Sequence, residues 1–400
     1  MISSFCLNFE LNKKYVYCEN SDESVKCYII VEGLNNYSLN LYSISNFVFS
    51  NNMSKFFADF ENLQKINFKN ISTENVFNMS NMFLNCKSLN YLDLTNFNTT
   101  KVTNMNGMFK NCQSLINIKV GENWDCSKVV VYKDMFEGCY DIVGQNGTTY
   151  DSTKTDKSYA QVDGDLKGYL SNSKYSFLRS DWNKEIKEYL KRYAEFNQYD
   201  GYYFDRAIFT TSVNDIPEYV IKKFDVGSMS PYYNIEIEEE NSCVSNITAY
   251  VVDGDEYDMW WLHVNVIFVY DGVLFAPENC EDLFRGFWYA SDSLDKLNTS
   301  LAKNMSGMFA GCNSVNYLDL TNFNTTKVTN MTEMFYGCMS LKKIYVSDSW
   351  NIEKVNRGLD MFKNCYDLEG PYDWKYNDDD IDYIYAIIGT KTQKGYLSSK

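Results

Sequence analysis

NMSNMFLNCKSLNYLDLTNFNTTKVT, residues 78–103, decides the fold because it recurs. NMNGMFKNCQSLINIKVGENWDCSKVV (104–130) follows it directly, NMSGMFAGCNSVNYLDLTNFNTTKVT (304–329) repeats it almost letter for letter, and NMTEMFYGCMSLKKIYVSDSWNIEKVN (330–356) follows that copy. The Met-Phe-x-x-Cys element stands at Met82, Met108 and Met135 and again at Met308, Met334 and Met361, in steps of 26 and then 27 residues, with the second series displaced by 226. A weaker period lies upstream. Phe57, Leu63, Ile66, Phe68 and Val76 precede Phe83, Leu89, Leu92, Leu94 and Val102 by one period, and LDKLNTSLAKNM (294–305), preceded by Phe284 and Phe287, parallels LTNFNTTKVTNM (94–105). Each array thus holds about four coils, with an atypical first coil that hides the open end of the core from water.

Within one period, N-Y-L-D-L alternates: Leu92 and Leu94 face one side, Tyr91 and Asp93 the other, the signature of a half-buried strand. Ahead of it, Met82, Phe83, Cys86 and Leu89 recur at helix-like spacing. One short helical or turn-like arm and one strand per coil is the leucine-rich-repeat plan, whose period runs from about 20 to 29 residues. The expected fold class is therefore α+β repeat: two leucine-rich-repeat solenoid arrays, each preceded by a small β-rich module. A single coil cannot bury its apolar face alone, whereas stacked coils can.

The expected boundaries are an N-terminal β-rich module over 1–55 and a first array with its tail over 56–171. A linker helix over 172–200, a second β-rich module over 201–282 and a second array with its tail over 283–400 follow. YVYC, VKCYIIVEG and MWWLHVNVIFVYDGVLF read as strands. SDWNKEIKEYLKRYAEF places Trp182, Ile186, Leu190 and Tyr193 near helical spacing after Ser180 or Asp181 as N-cap. The tails match as well, 144–171 paralleling 370–398, so the duplicated unit comprises β module, repeats and tail.

Composition narrows the function classes. An apolar content of 45% supports packed cores, and a net charge of −16 opposes a nucleic-acid partner, whose affinity draws on clustered Lys and Arg. No apolar run reaches the roughly 18 to 20 residues that span a bilayer. The start, MISSFCLNFELNKKYVYC, does not read as a signal peptide. Of the 12 cysteines, Cys86, Cys112, Cys139, Cys312, Cys338 and Cys365 share one repeat position and read as a column of buried thiols. The others show no zinc spacing, although a disulfide among Cys6, Cys18 and Cys27 stays open. Asn78, Asn104, Asn304 and Asn330 are expected to cap turn backbone groups.

Catalytic and metal motifs are missing. His263 lies in the apolar run WLHVNVIFVY and reads as a satisfied core histidine; neither Cys243 nor Cys280 carries the flanks of a cysteine hydrolase. DGDEYD (253–258) lacks the Gly and closing Glu of a calcium loop. No phosphate-binding loop, dinucleotide fingerprint, HExxH or GxSxG occurs. The expectation is a protein that is not an enzyme and needs no cofactor or metal.

NMSNMFLNCKSLNYLDLTNFNTTKVTNM, the ending MFEGCYDIVGQNGTTYDSTKTDKSYAQVDG and YVSDSWNIEKV resemble the BspA-like leucine-rich repeats of bacterial surface proteins, including mycoplasma surface lipoproteins. The resemblance covers roughly 56–170 and 283–398. It implies a right-handed solenoid, adhesion to a protein or glycan ligand on a cell surface or matrix, and a cell-surface or extracellular location. The absence of a lipobox or wall anchor leaves open a cytoplasmic location or a structural or receptor-binding role in a larger particle such as a phage virion. The candidate ligand face is the outward side of the strand ladder, where residues vary: Tyr91, Asp93, Asn117, Lys119, Tyr317, Asp319, Lys343 and Tyr345.

Overall fold

The computed structural model describes residues 15–19, 25–33, 36–49, 51–164, 166–197, 201–217, 220–228, 247–254, 261–289 and 293–400. The chain divides into two compact units, Met1–Lys174 and Tyr175–Lys400.

In the first unit β1 (Tyr15–Glu19), β2 (Val25–Gly33), β3 (Asn36–Val48), β4 (Leu63–Ser72), β5 (Tyr91–Leu94), β6 (Asn117–Val120) and β7 (Leu170–Ser171) form one seven-stranded sheet in that order. The first three strands pair antiparallel; from β3 onward every neighbour is parallel. Parallel neighbours cannot be joined by a hairpin and need a crossover. The repeat arm supplies it.

The arm is not a helix. The N–H groups of Met79, Asn81, Phe83 and Asn85 donate to the carbonyls of Asn104, Asn106, Met108 and Lys110 in the next coil, at 2.9, 2.8, 2.9 and 2.9 Å. Between them, the N–H groups of Met82, Leu84 and Cys86 close turns on the carbonyls of Met79, Asn81 and Phe83. The cause is local. Asn81 and Asn85 have φ of 53° and 60°, and the same positions carry Gly107 and Asn111, Asp134 and Gly138, Gly307 and Gly311, all at positive φ. A left-handed residue at every fourth position cannot propagate a right-handed helix, and Gly, Asn and Asp are the residues that tolerate it. The expected α+β fold with two leucine-rich-repeat solenoid arrays is therefore corrected. Among the described residues the protein is mostly β, with four sheets and a single α-helix that lies outside the repeats. The strands ahead of the first repeats continue the same sheet, β3 pairing directly with β4.

The second unit contains β8 (Tyr175–Leu178), α1 (Trp182–Phe196), β9 (Gly201–Thr210), β10 (Lys222–Asp225), β11 (Gly227–Ser228), β12 (Thr248–Asp253), β13 (Trp261–Val269), β14 (Val273–Phe275), β15 (Leu297–Asn298), β16 (Tyr317–Leu320), β17 (Lys343–Val346) and β18 (Leu397–Ser399). They make three sheets, in the orders β10-β12-β13-β9, β11-β8-β14-β15 and β16-β17-β18. Trp182, Ile186, Leu190 and Ala194 recur every four residues along α1 and are buried, and Trp182 meets Phe268 edge-on at 4.8 Å. The helix thus packs into the core of this unit.

Each core is organised by a column of rings. Phe57, Phe83, Phe109 and Phe136 stack with centroids 5.4, 5.7 and 5.5 Å apart, and Tyr169 closes the column edge-on. Phe284, Phe309, Phe335 and Phe362 stack at 5.7, 5.9 and 5.7 Å under Tyr396. Beside each ring column runs the expected thiol column, in which each Sγ–H donates to a phenylalanine carbonyl of the coil before. Cys86 reaches Phe57, Cys112 reaches Phe83 and Cys338 reaches Phe309, at 3.0, 3.1 and 3.1 Å.

Fully buried threonines join the coils on a third line. The Thr99 hydroxyl donates to the Asp125 carbonyl at 3.0 Å and accepts from the Asp125 N–H at 2.6 Å. Thr325 does the same with Asn351, at 2.8 and 2.6 Å. Asn78, Asn104, Asn304 and Asn330 accept from the N–H two residues on, capping the turn that opens each arm. Replacing Phe335 with alanine removes the middle of a ring column and should destabilise the second unit by about 3–5 kcal/mol. Thr325→Val, which leaves the half-buried Asn351 N–H and carbonyl without this partner, should cost about 1–3 kcal/mol. Urea unfolding of the full chain, followed by hydrogen exchange at each unit, measures both; an unchanged second unit would contradict the role of these columns.

Candidate binding surface

Parallel pairing sets the residues of the expected ligand face side by side. Tyr91 lies opposite Asn117 and Asp93 opposite Lys119; Tyr317 lies opposite Lys343 and Asp319 opposite Tyr345. Parallel strands lie about 4.8 Å apart, so each set of four forms a compact patch.

The two patches are not equivalent. In the first unit Tyr91 and Asn117 are buried, the Asn117 amide donating to the Ser171 hydroxyl at 3.1 Å, and Asp93 and Lys119 are half-buried. In the second unit the same tyrosine, Tyr317, is 59% exposed. Asp319 is exposed too, and Lys343 and Tyr345 are half-buried. Asp319 accepts from Lys400 Nζ at 2.5 Å and from the Thr321 hydroxyl at 2.7 Å, and these donors, Lys400 foremost, hold its carboxyl below the usual range. Lys400 joins the patch only because β18 lies beside β17, 81 residues on in the chain from Asp319. Sequence spacing carries no sign of that neighbour.

A cavity of about 270 Å³ opens next to the end of β17. Val346, Trp350, Ile352 and Ile388 form apolar walls, with Ser347 and Asp348 on a polar edge. The Trp350 indole N–H donates to the Ala386 carbonyl at 3.0 Å and pins the tail across the last coil. Trp124 and Ala160 repeat that bond in the first unit at 3.1 Å.

The other candidates are structural in their contacts. His263 Nδ1 lies 2.7 Å from Asp205 Oδ1, with Asp205 fully buried and Tyr203 and Trp288 packed around the imidazole. The histidine is satisfied, as its apolar setting suggested. The Cys280 thiol donates to the Pro277 carbonyl at 3.0 Å, and burial pushes it up. Cys243 and most of DGDEYD lie outside the described residues, as does Cys6. Cys18 and Cys27 occupy paired backbone positions in the β1–β2 register. No group of three or more metal-ligating side chains occurs among the described residues, and none of their helices is long and apolar enough to cross a membrane. A buried acid that the sequence did not single out, Asp163, accepts from the N–H groups of Asn146, Thr148 and Gly168 and from the Thr148 hydroxyl, and so shapes the first tail.

The family described as "Mycoplasma protein of unknown function, DUF285" matches the chain twice, over residues 34–162 and 278–392. The chain belongs to this family. The two matches coincide with the two copies of the internal repeat, so the family unit is present in duplicate. No curated protein and no solved structure matches the chain.

Burial raises the thiols of the first column, Cys86 to about 12, and raises Cys126 to about 11. Since the thiolate is the reactive form, Cys86, Cys112 and Cys139 should stay unalkylated by iodoacetamide at pH 8 in the native protein and react once it is unfolded. Peptide mass spectrometry reads this out, and rapid native labelling of these three would contradict the closed column.

Proposed function

We propose that the chain is a non-enzymatic binding or adhesion protein that presents the β16–β17–β18 face to a protein or glycan ligand on a cell surface or matrix. The observation that carries this reading is the contrast between Tyr317 and Tyr91. One repeat position, in an identical YLDL strand, is 59% exposed in the second unit and buried in the first. A large aromatic ring left in water on a hydrogen-bonded strand ladder, beside Asp319, Lys343 and Tyr345, has the composition of an interface anchor, because Tyr combines contact area with few rotatable bonds. The adjoining cavity offers an apolar recess for a ligand group. The net charge of −16 argues for a partner other than nucleic acid.

The likeness of 78–105 to the BspA-like repeats of surface proteins supports the same reading, and with it kinship to those repeats and a cell-surface or extracellular location. No cofactor or metal is part of this proposal.

Screening the full chain on glycan and matrix-protein arrays supplies the ligand. Tyr317→Ala with Lys343→Ala should then weaken capture by about 30-fold or more, the loss expected of an interface anchor, without changing the melting temperature. Tyr91→Ala should leave capture intact while destabilising the first unit. Capture unaffected by the Tyr317 and Lys343 changes would place the ligand elsewhere.

A further inference from the structure

Three lysines far apart in the chain lie on three successive coils along the turn edge of the second unit. Lys327 and Lys354 occupy the same turn position in successive coils, each just before a buried valine, Val328 and Val355. Lys303 enters from the coil before, where its backbone carbonyl accepts from the Thr329 N–H at 2.8 Å. Stacking sets the equivalent positions Lys327 and Lys354 about 5 Å apart, and Lys303 lies in the adjacent coil, aligned with Thr329 two residues beyond Lys327. Glu278 is bound to Lys303 at 2.8 Å, and among the described residues neither Lys327 nor Lys354 has an acidic side chain within ion-pair distance. Lys303 and Lys354 are exposed, and Lys327 sits half-buried between them.

From this arrangement the geometry points to an oxyanion-binding site in which Lys303, Lys327 and Lys354 together hold a sulfate or phosphate group. Each ammonium offers three donors and no acceptor, and an oxyanion accepts from all three while cancelling their mutual repulsion. The electrostatics agree. Burial first, then the Lys303 and Lys354 charges, bring Lys327 down to about 8, with Glu278 opposing only in part. Such a lysine gains more than a solvated one from a bound anion.

The first unit supplies an internal control. Lys101 and Lys128 hold the positions of Lys327 and Lys354, but Phe77 stands where Lys303 would be, and Lys101 Nζ donates to Asn75 Oδ1 at 3.2 Å. No triad forms there. The site does not rest on the β16–β17–β18 reading, since it uses a different edge of the coil and none of the same residues.

The test is acylation of lysines in the full chain at pH 8, read by peptide mass spectrometry, in sodium sulfate, sodium phosphate or a sulfated oligosaccharide against sodium chloride of equal ionic strength. A bound anion keeps Lys327 protonated. A rise of about one unit in its pKa, from about 8, cuts the free amine present at pH 8, and so the acylation rate, about fivefold. Lys101 and the exposed Lys391 should not respond. Protection strongest with inorganic sulfate or phosphate identifies a free-ion site, and protection strongest with the oligosaccharide identifies a sulfate carried on a glycan; both support the site. The double variant K303Q/K354Q should lose the protection, and Tyr317→Ala should keep it. Equal Lys327 rates in all salts, or protection that survives K303Q/K354Q, would overturn the proposal.

Discussion

The structure depends on the alternation of hydrogen bonds along each arm. Every second N–H from Met79 to Asn85 crosses to the next coil, and the N–H groups between them close turns within their own coil. The arm therefore has no free register: a slip of one residue would send the crossing donors inward and turn the side chains of Phe83 and Cys86 away from their columns. Ring stacking, thiol donation and the threonine staples all presuppose that register. They add packing and polar satisfaction to a spacing the backbone has already set, which is why three chemically different lines of contact keep one period.

The ends of each stack meet a different demand. A coil without a successor leaves its crossing N–H donors without acceptors and the face of a phenylalanine ring uncovered. The tails answer both. Phe136 and Phe362 turn their N–H groups to the carbonyls of Thr155 and Ile381 in place of another coil, and Tyr169 and Tyr396 lie edge-on over the last ring. Their hydroxyls accept from the N–H groups of Asp151 and Asn377, so the phenol covers the ring column with one end and fixes the tail with the other.

Much of this was legible from the chain. The period, the buried Met, Phe, Cys and Leu positions, the strands at Leu92 and Leu318 and the duplicated tails all follow from residue spacing. The arm conformation was misread because Met82, Phe83, Cys86 and Leu89 keep helical spacing whether or not the backbone is helical. The information sat in the polar positions between them, where Asn81, Asn85, Gly107 and Gly138 mark left-handed turns. The face was legible only as a set of positions. YLDL is the same string at Tyr91 and Tyr317, so nothing local could say that one tyrosine is covered and the other is not. Lys303, Lys327 and Lys354 are 24 and 27 residues apart and form no basic stretch; only the fold makes them neighbours.

The tyrosine-capped tails also bear on how such a chain can grow. An open stack of parallel coils is a template at its free edge, prone to add further strands end to end. Here each copy ends in a short final strand, β7 or β18. An internal duplication that carries its own terminator multiplies closed blocks instead of lengthening one. Gene-level expansion in this architecture therefore changes valency before it changes reach, and a chain with more copies would gain separate cores rather than a longer fibre.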